Sequence, residues 1–410
     1  MKRIKPIFTL PALGMPMLAA GLTLLAGIAT VPAALHAEEQ TRAFRQPFPA
    51  GAGEVRLANL AGRIVIMPGR GSEVVVDATV HADAGSSAET QRLLQGMKWV
   101  KSHDKKGRQE WALSYPVDKY RSYHFPNHKE DDDDLPAFLS FLGGSQTSTT
   151  YRGERVRIYS NKRSSAPTLY TDLRISLPAG ANLALRNAVG PVRGGDLEGT
   201  LVVDTGSGNV QIASHSGQLT IDTGSGDVVL GSAKGETSID TGSGDVIVRR
   251  LVGNGSVDTG SGDVTVQKLS AGRITIDTGS GDVTVQDGVA GKVIADTGSG
   301  RVRVIAVELE ELAAETGSGD VVVQTSLARA RRVSAETGSG DIKIKGGPDA
   351  QFDIVSDQGS GELLVGYADA VLRRDGRKVV GAKRGNGHTV IHVETGSGDC
   401  SITPKDHQQP

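Results

Sequence analysis

Ile274-Thr275-Ile276-Asp277-Thr278-Gly279-Ser280-Gly281-Asp282-Val283-Thr284-Val285 is the stretch on which the reading of this chain turns. On both sides of the central Thr-Gly-Ser-Gly, apolar residues alternate with polar ones, which is the period of a half-buried strand. Ile274, Ile276, Val283 and Val285 are expected to face inward, and Thr275, Asp277, Asp282 and Thr284 outward. The glycines between the two strands mark a chain reversal, because glycine reaches positive φ without steric cost.

Working outward, the tetrapeptide begins at Thr205, Thr223, Thr241, Thr259, Thr278, Thr297, Thr316, Thr337 and Thr395, with a variant at Gln358. The spacings are 18, 18, 18, 19, 19, 19, 21, 21 and 37 residues. So regular a period is the mark of stacked coils. A second reversal falls near Gly253-Asn254-Gly255 in one coil and Ala290-Gly291 in another, preceded by Leu251, Leu269 or Val289. The expectation is an all-β, single-chain, two-sided β-solenoid, or β-helix, of about ten 18–21-residue coils. At roughly 4.8 Å per layer the rod would be about 50 Å long. Inward Ile221, Ile239 and Ile276 give way to Ala295, Ala314 and Ala335, so the later coils are expected to be thinner. Asp399-Cys400-Ser401-Ile402 aligns with Asp282 to Val285, which makes Cys400 a buried, inert thiol.

Upstream of the repeat, Lys2, Arg3 and Lys5 precede an uncharged run from Ile7 to Leu35, and Ala37 stands before Glu38-Glu39. This order predicts a signal peptide over residues 1–37. The rival reading is a retained membrane anchor, which Pro11, Pro16 and Pro32 would interrupt. No Cys follows the run, so a bacterial lipid anchor at that site is excluded. Cleavage would change the formal charge from −2 to −2 − 3 = −5, a poor balance for nucleic acid. A single Cys leaves no disulfide, and aromatic residues are only 4% of the chain, so packing and backbone hydrogen bonds must hold a narrow fold.

Residues 38–190 read as an N-terminal α+β cap region. Strands are expected at Val55-Arg56-Leu57, Ile64-Val65-Ile66, Val74-Val75-Val76 and Leu173 to Leu177, with a helix over residues 88–101 and a hairpin at Trp111-Ala112-Leu113. Within the region, residues 116–166 form an irregular acidic insert. It carries Tyr120, Tyr123, His124, Phe125 and His128, then Glu130-Asp131-Asp132-Asp133-Asp134 and an apolar run from Leu135 to Leu142. A solvated, partly disordered loop is expected there, since the His and carboxylate residues have no recognisable metal-ligand spacing. The apolar run is a candidate for docking on the rod or on a partner. Residues 191–410 are the repeat domain, with a basic hairpin insert over 367–386 that accounts for the 37-residue gap.

With these residues laid out, the chain resembles the putative-adhesin family of bacterial β-strand-repeat proteins, a domain family of unknown function. The likeness rests on the TGSGDV turns of 204–400, on Asn59 to Ile66 and on Leu177-Pro178-Ala179-Gly180. It implies a single-chain β-helix more firmly than it implies an activity.

Outward carboxylates flank each turn: Asp222 with Asp227, Asp240 with Asp245, Asp258 with Asp263, and Asp277 with Asp282. Stacked like charges need compensation, either from local turn capping by Asp, Thr and Ser or from a cation such as Ca²⁺. Capping is the expectation and calcium the alternative; no other cofactor is called for. A recurring pair in every coil is unlike a glycosidase site, which is one unequal pair in a cleft. The expected function is non-catalytic: an exported cell-envelope scaffold or adhesin-like binder, periplasmic or envelope-associated, using flat faces with Val229, Ile247, Val322, Thr265, Thr284, Arg303 and Lys343 outward. Its partner would be an envelope protein or polysaccharide. The alternatives are a calcium-stabilised repeat protein and a polysaccharide-active enzyme seated in the insert.

Overall fold

In the computed structural model the described residues are 39–51, 53–104, 106–126, 146–161 and 165–405. They are all-β apart from one helix, Ser87–Gly96. None of their helices is long and apolar enough to cross a membrane. The signal peptide expected over 1–37 lies outside them.

Strands stack in parallel, each residue on its counterpart one repeat away. The post-corner column runs Val210, Val228, Val246, Val264, Val283, Val302, Val321, Ile342, Cys400 and Leu363. Register is fixed because every member but Leu363 is at most 1% exposed, and a one-residue slip would turn the column to solvent. Cys400 sits in this column, and burial raises its thiol pKa.

Three strand pieces make a coil, where two were expected: Thr237–Thr241, Val246–Val248 and Leu251–Val252. Inward Val248 and inward Leu251 are three residues apart, an odd spacing that a straight strand cannot give. The chain therefore bends at Arg249-Arg250. Later coils are also not simply thinner. Where Ala314 replaces isoleucine, Val307, Leu309 and Leu312 are buried as well, so the longer repeat supplies extra inward side chains.

The stack begins earlier than the repeat. Val55–Ala61 pairs in parallel with Ala181–Val189, and Ile64–Gly69 with Val192–Ser207. Residues 70–180 are thus an insertion between two adjacent layers. Asn59 and Asn187 occupy the column of the corner threonines. Both are buried: Asn59 Nδ2 donates to the Thr171 carbonyl at 2.9 Å and Asn187 Nδ2 to the Gly62 carbonyl at 2.9 Å. The inserted strands Thr168–Pro178 and Glu73–Asp83, followed by Gln40–Pro49 from the start of the described chain, continue the sheet beyond Ile64–Gly69, the last two antiparallel. The helix expected over 88–101 stops at Gly96, because Met97 leaves helical geometry and Trp99–His103 pairs antiparallel with Gln109–Leu113. Ser86 caps its start by accepting from the Glu89 N–H.

At the other end the layers depart from chain order. Thr389–Thr395 lies between Arg332–Thr337 and Phe352–Gln358, and Cys400–Pro404 lies between Ile342–Gly346 and Leu363–Val365. The coil latest in sequence is therefore interleaved, and the coil of residues 352–365 ends the stack. Lys378–Arg384 pairs antiparallel with Phe352–Gln358, and Val371–Asp375 pairs with Lys378–Arg384. Residues 371–384 thus form a hairpin on the terminal coil.

Candidate interaction surfaces

Each corner is built to stand on the one before it. A Cβ added to Gly281 would lie 1.9 Å from the Gly262 carbonyl oxygen, and one on Gly279 would lie 2.5 Å from that of Gly260. Close approach between layers, and not φ, is what requires glycine at most corners; Gly281 has no positive φ. The expected left-handed conformation belongs instead to the opposite reversal, as at Gly235 (φ 126°) and Gly253 (φ 120°).

The corner threonine points inward. Thr297 Oγ1 donates to the Gly281 carbonyl of the previous layer at 2.8 Å and accepts from the Gly300 N–H at 3.1 Å. The same two bonds recur at Thr316 and Thr337. Thr thus replaces an aliphatic residue in the core column because it also ties two layers together.

The candidate carboxylates separate into two columns. Asp227, Asp245, Asp263 and Asp282 form the post-corner one, where each side chain accepts from the backbone N–H of the next layer: Asp227 from Asp245, Asp245 from Asp263 and Asp263 from Asp282, at 2.8 to 2.9 Å. Capping by Asp is therefore between layers, because the stacked N–H lies within reach of the carboxylate below, whereas Thr297, Thr316 and Thr337 accept from a glycine N–H of their own turn, as expected. Burial raises the pKa of Asp227, and the Asp245 N–H bond partly opposes it.

Asp222, Asp240, Asp258 and Asp277 belong to the pre-corner column, which is longer than the sequence pairs suggested. It runs Asp204, Asp222, Asp240, Asp258, Asp277, Asp296, Glu315, Glu336, Glu394 and Asp357, ten carboxylates in ten successive layers. The residue preceding each corner carried this signal, masked by the change from Asp to Glu. Burial, then the charges of Asp222 and Asp258, raises the pKa of Asp240; burial and Asp277 raise that of Asp296. At Glu315 the charge of Asp296 is the first cause, followed by burial, Glu336 and Glu394. Among the described residues no group of three or more His, Cys, Asp or Glu is arranged to hold a metal ion.

On the post-corner face, Ile247, Thr265, Thr284, Arg303, Val322 and Lys343 form one partly or fully exposed outward column. Val229 stands in that column between Gln211 and Ile247 yet is only 3% exposed, so it adds nothing to the surface.

The described parts of the insert are more ordered than expected. Gln146–Tyr151 and Glu154–Tyr159 form an antiparallel hairpin, and Ser122–His124 pairs with its second strand. Tyr123, Phe125, Tyr151, Val156 and Ile158 are buried. Tyr151 OH donates to the Ala58 and Leu113 carbonyls, which locks the hairpin to the first layer. Aromatic burial overrides the polar look of residues 116–126 and 146–161. Residues 127–145, with His128 and the acidic run, lie outside the described residues. A groove of about 460 Å³ with a mixed lining, Leu327, Ala328 and Pro348 beside Asp349, Gln351 and His388, opens near the far end of the stack.

These features define a stacked β-solenoid-like protein with repeated outer columns. Residues 236–403 match the family model described as Toastrack DUF4097, a domain of unknown function and of β-solenoid-like fold. The resemblance drawn from the TGSGDV turns agrees with this in its coarse features. A solved structure of a putative cell adhesion protein from Clostridium sporogenes ATCC 15579 is 9% identical, over 89% of this chain and 100% of that one, with a TM-score of 0.16. Another, a putative lipid binding protein from Parabacteroides distasonis ATCC 8503, is 9% identical over 89% and 97%, with a TM-score of 0.30. At those scores neither likeness bears on fold or function. No curated protein matches the chain.

Proposed function

We propose that the chain is a non-catalytic, exported cell-envelope protein that acts as a structural scaffold or adhesin-like binding module. The observation that supports this most is the use of the corner chemistry. Thr hydroxyls and post-corner carboxylates are spent on tying each layer to the next, and the same bonds recur along the rod. Groups that recur in equal settings suit a uniform surface, whereas catalysis needs an unequal pair. On this reading a rod of about ten coils is the scaffold, the N-terminal strands close one end against edge pairing, and the flat faces meet an envelope protein or polysaccharide.

The test uses the immobilised full chain against purified envelope polysaccharide and protein fractions. Capture should fall at least tenfold when Thr265→Glu, Thr284→Glu and Arg303→Glu are combined on the post-corner face, with the thermal midpoint retained. Capture indifferent to these changes and to changes in the pre-corner column would contradict the proposal, as would a product released in proportion to time.

A further inference from the structure

Five of the six exposed large apolar side chains among the described residues lie at the C-terminal end of the stack: Leu364, Val371, Leu372, Val355 and Val390. Val371 is 71% exposed and Leu364 63%. Val371 and Leu372 lie on a basic hairpin, residues 371–384, which holds six Lys and Arg against one Asp and pairs with the strand that carries Val355. Arg373 pairs with Asp353, Arg384 pairs with Asp369, and Lys378 donates to the Gln358 and Gly359 carbonyls. Arg374 reaches only the Arg377 carbonyl of its own turn, and both arginines are exposed. Val371–Asp375 is paired on one side alone among the described residues, and all five of its residues are exposed. Charged residues on an edge strand ordinarily guard it. Guarding does not account for Val371 and Leu364, which add apolar surface to the same end.

The chain carries the complement of this end in its own sequence. Glu130-Asp131-Asp132-Asp133-Asp134 is followed by Leu135, Phe138, Leu139, Phe141 and Leu142, so acidic and apolar parts adjoin as the basic and apolar parts of the tip do. A symmetric tip-to-tip pairing would instead set arginine near arginine. The segment cannot serve its own tip. Its flanks, residues 126 and 146, belong to the N-terminal end, and from Arg186 to Asp357 the column climbs ten layers. Ten layers are about 48 Å. A 19-residue segment that must leave and return reaches only about 34 Å fully extended.

We propose that the C-terminal tip is a docking site for a second copy of this chain, which supplies its acidic and apolar segment, residues 130–142. The apolar run lies against Val371 and Leu364, and the carboxylates meet Arg374 and Arg377. The contact is heterologous, so it propagates head to tail without closing. It is independent of whichever partner the flat faces meet.

Sedimentation velocity on the full chain, over a range of concentrations in low and high salt, reads this directly. The expected result is concentration-dependent association that passes beyond the dimer and weakens in high salt. Arg374→Glu with Arg377→Glu should weaken it at least tenfold, as should deletion of residues 130–142 or Asp132→Lys with Asp133→Lys. The charge variants guard against misfolding of the deletion, and thermal melts check all of them. An equimolar mixture of the Arg374→Glu/Arg377→Glu protein and the deletion protein should give a 1:1 dimer and nothing longer, since one retains the segment and the other the tip. A parent chain that stays monomeric overturns the proposal, as does association indifferent to these variants or a mixture of folded variants that forms no dimer. A monomeric parent that binds vesicles of anionic phosphatidylglycerol through Arg374 and Arg377 also overturns it, and assigns the tip to membranes.

Discussion

At the corner, two adjacent residues of one tetrapeptide behave oppositely. Ser280 is exposed, while Gly281 has a carbonyl of the previous layer where a Cβ would go. Gly281→Ala should therefore cost about 1–3 kcal/mol, the usual range for forcing volume into a packed site, and Ser280→Ala within about 0.5 kcal/mol. Urea titration of the two variants checks the contrast. Thr297→Val keeps the shape but removes a donor to Gly281 and an acceptor for the Gly300 N–H. Its expected cost is about 1–2 kcal/mol. The sequence pointed to glycine here for the wrong reason, and to threonine for half of the right one: the cap within the turn was expected, the bond to the previous layer was not. A motif read alone shows that a turn needs glycine, but the neighbour that forbids a side chain is 19 residues away. Likewise the alternation already placed Thr278 two residues after inward Ile276, and the hydroxyl obscured that it too is a core position.

The acidic column belongs to the scale of the element, because its energetics arise only on stacking. Asp240, Asp296 and Glu315 have pKa values raised in the folded chain by burial and by one another. Such groups bind more protons folded than unfolded, so their contribution to stability is full below the unfolded pKa and is lost as pH rises through the folded one. The thermal midpoint should rise as pH falls from neutral toward about 4.5. Below that it should fall, since other carboxylates have lowered values; hydrogen bonds from Lys119, Tyr120 and Arg92 hold Glu89 at about 2. Replacing the three raised groups by Asp240→Asn, Asp296→Asn and Glu315→Gln should flatten the rise and leave the acid limb in place. Strands and their inward faces were legible from period two, and so was the column of Cys400. The bend at Arg249-Arg250 was not, because an odd spacing between inward residues is visible only once the third strand piece is known. The hairpin of Gln146–Tyr151 and Glu154–Tyr159 was missed because its anchor, Tyr151, meets carbonyls remote in sequence.

Across the whole molecule, layers are ordered by register and not by chain order. The stack opens with Val55–Ala61, resumes at Ala181–Val189 after an insertion, and near its end admits residues 389–404 between two earlier coils. Sequence periodicity fixes which residues share a column but is blind to which layer each occupies, since every corner looks alike. The 37-residue gap was accordingly read as a hairpin within the last coil, when the chain passes over one layer, builds the hairpin on the next and returns to fill the space. Truncation before Thr389 should thus leave the coil of residues 352–365 without its parallel partner, and amide exchange there should accelerate together with that of Ile342–Gly346. Disulfide trapping tests the stacking itself, in a Cys400→Ala background. Adjacent layers place Cα atoms within the 4.4–6.8 Å that a disulfide spans, and next-nearest layers, about 9.6 Å apart, do not. Lys343 pairs with Ser401, and Ser401 with Leu364. Oxidation should therefore link Lys343→Cys to Ser401→Cys and fail to link Lys343→Cys to Leu364→Cys; a 343–364 link in place of the 343–401 link would mean that the layers follow chain order and would contradict the stacking described.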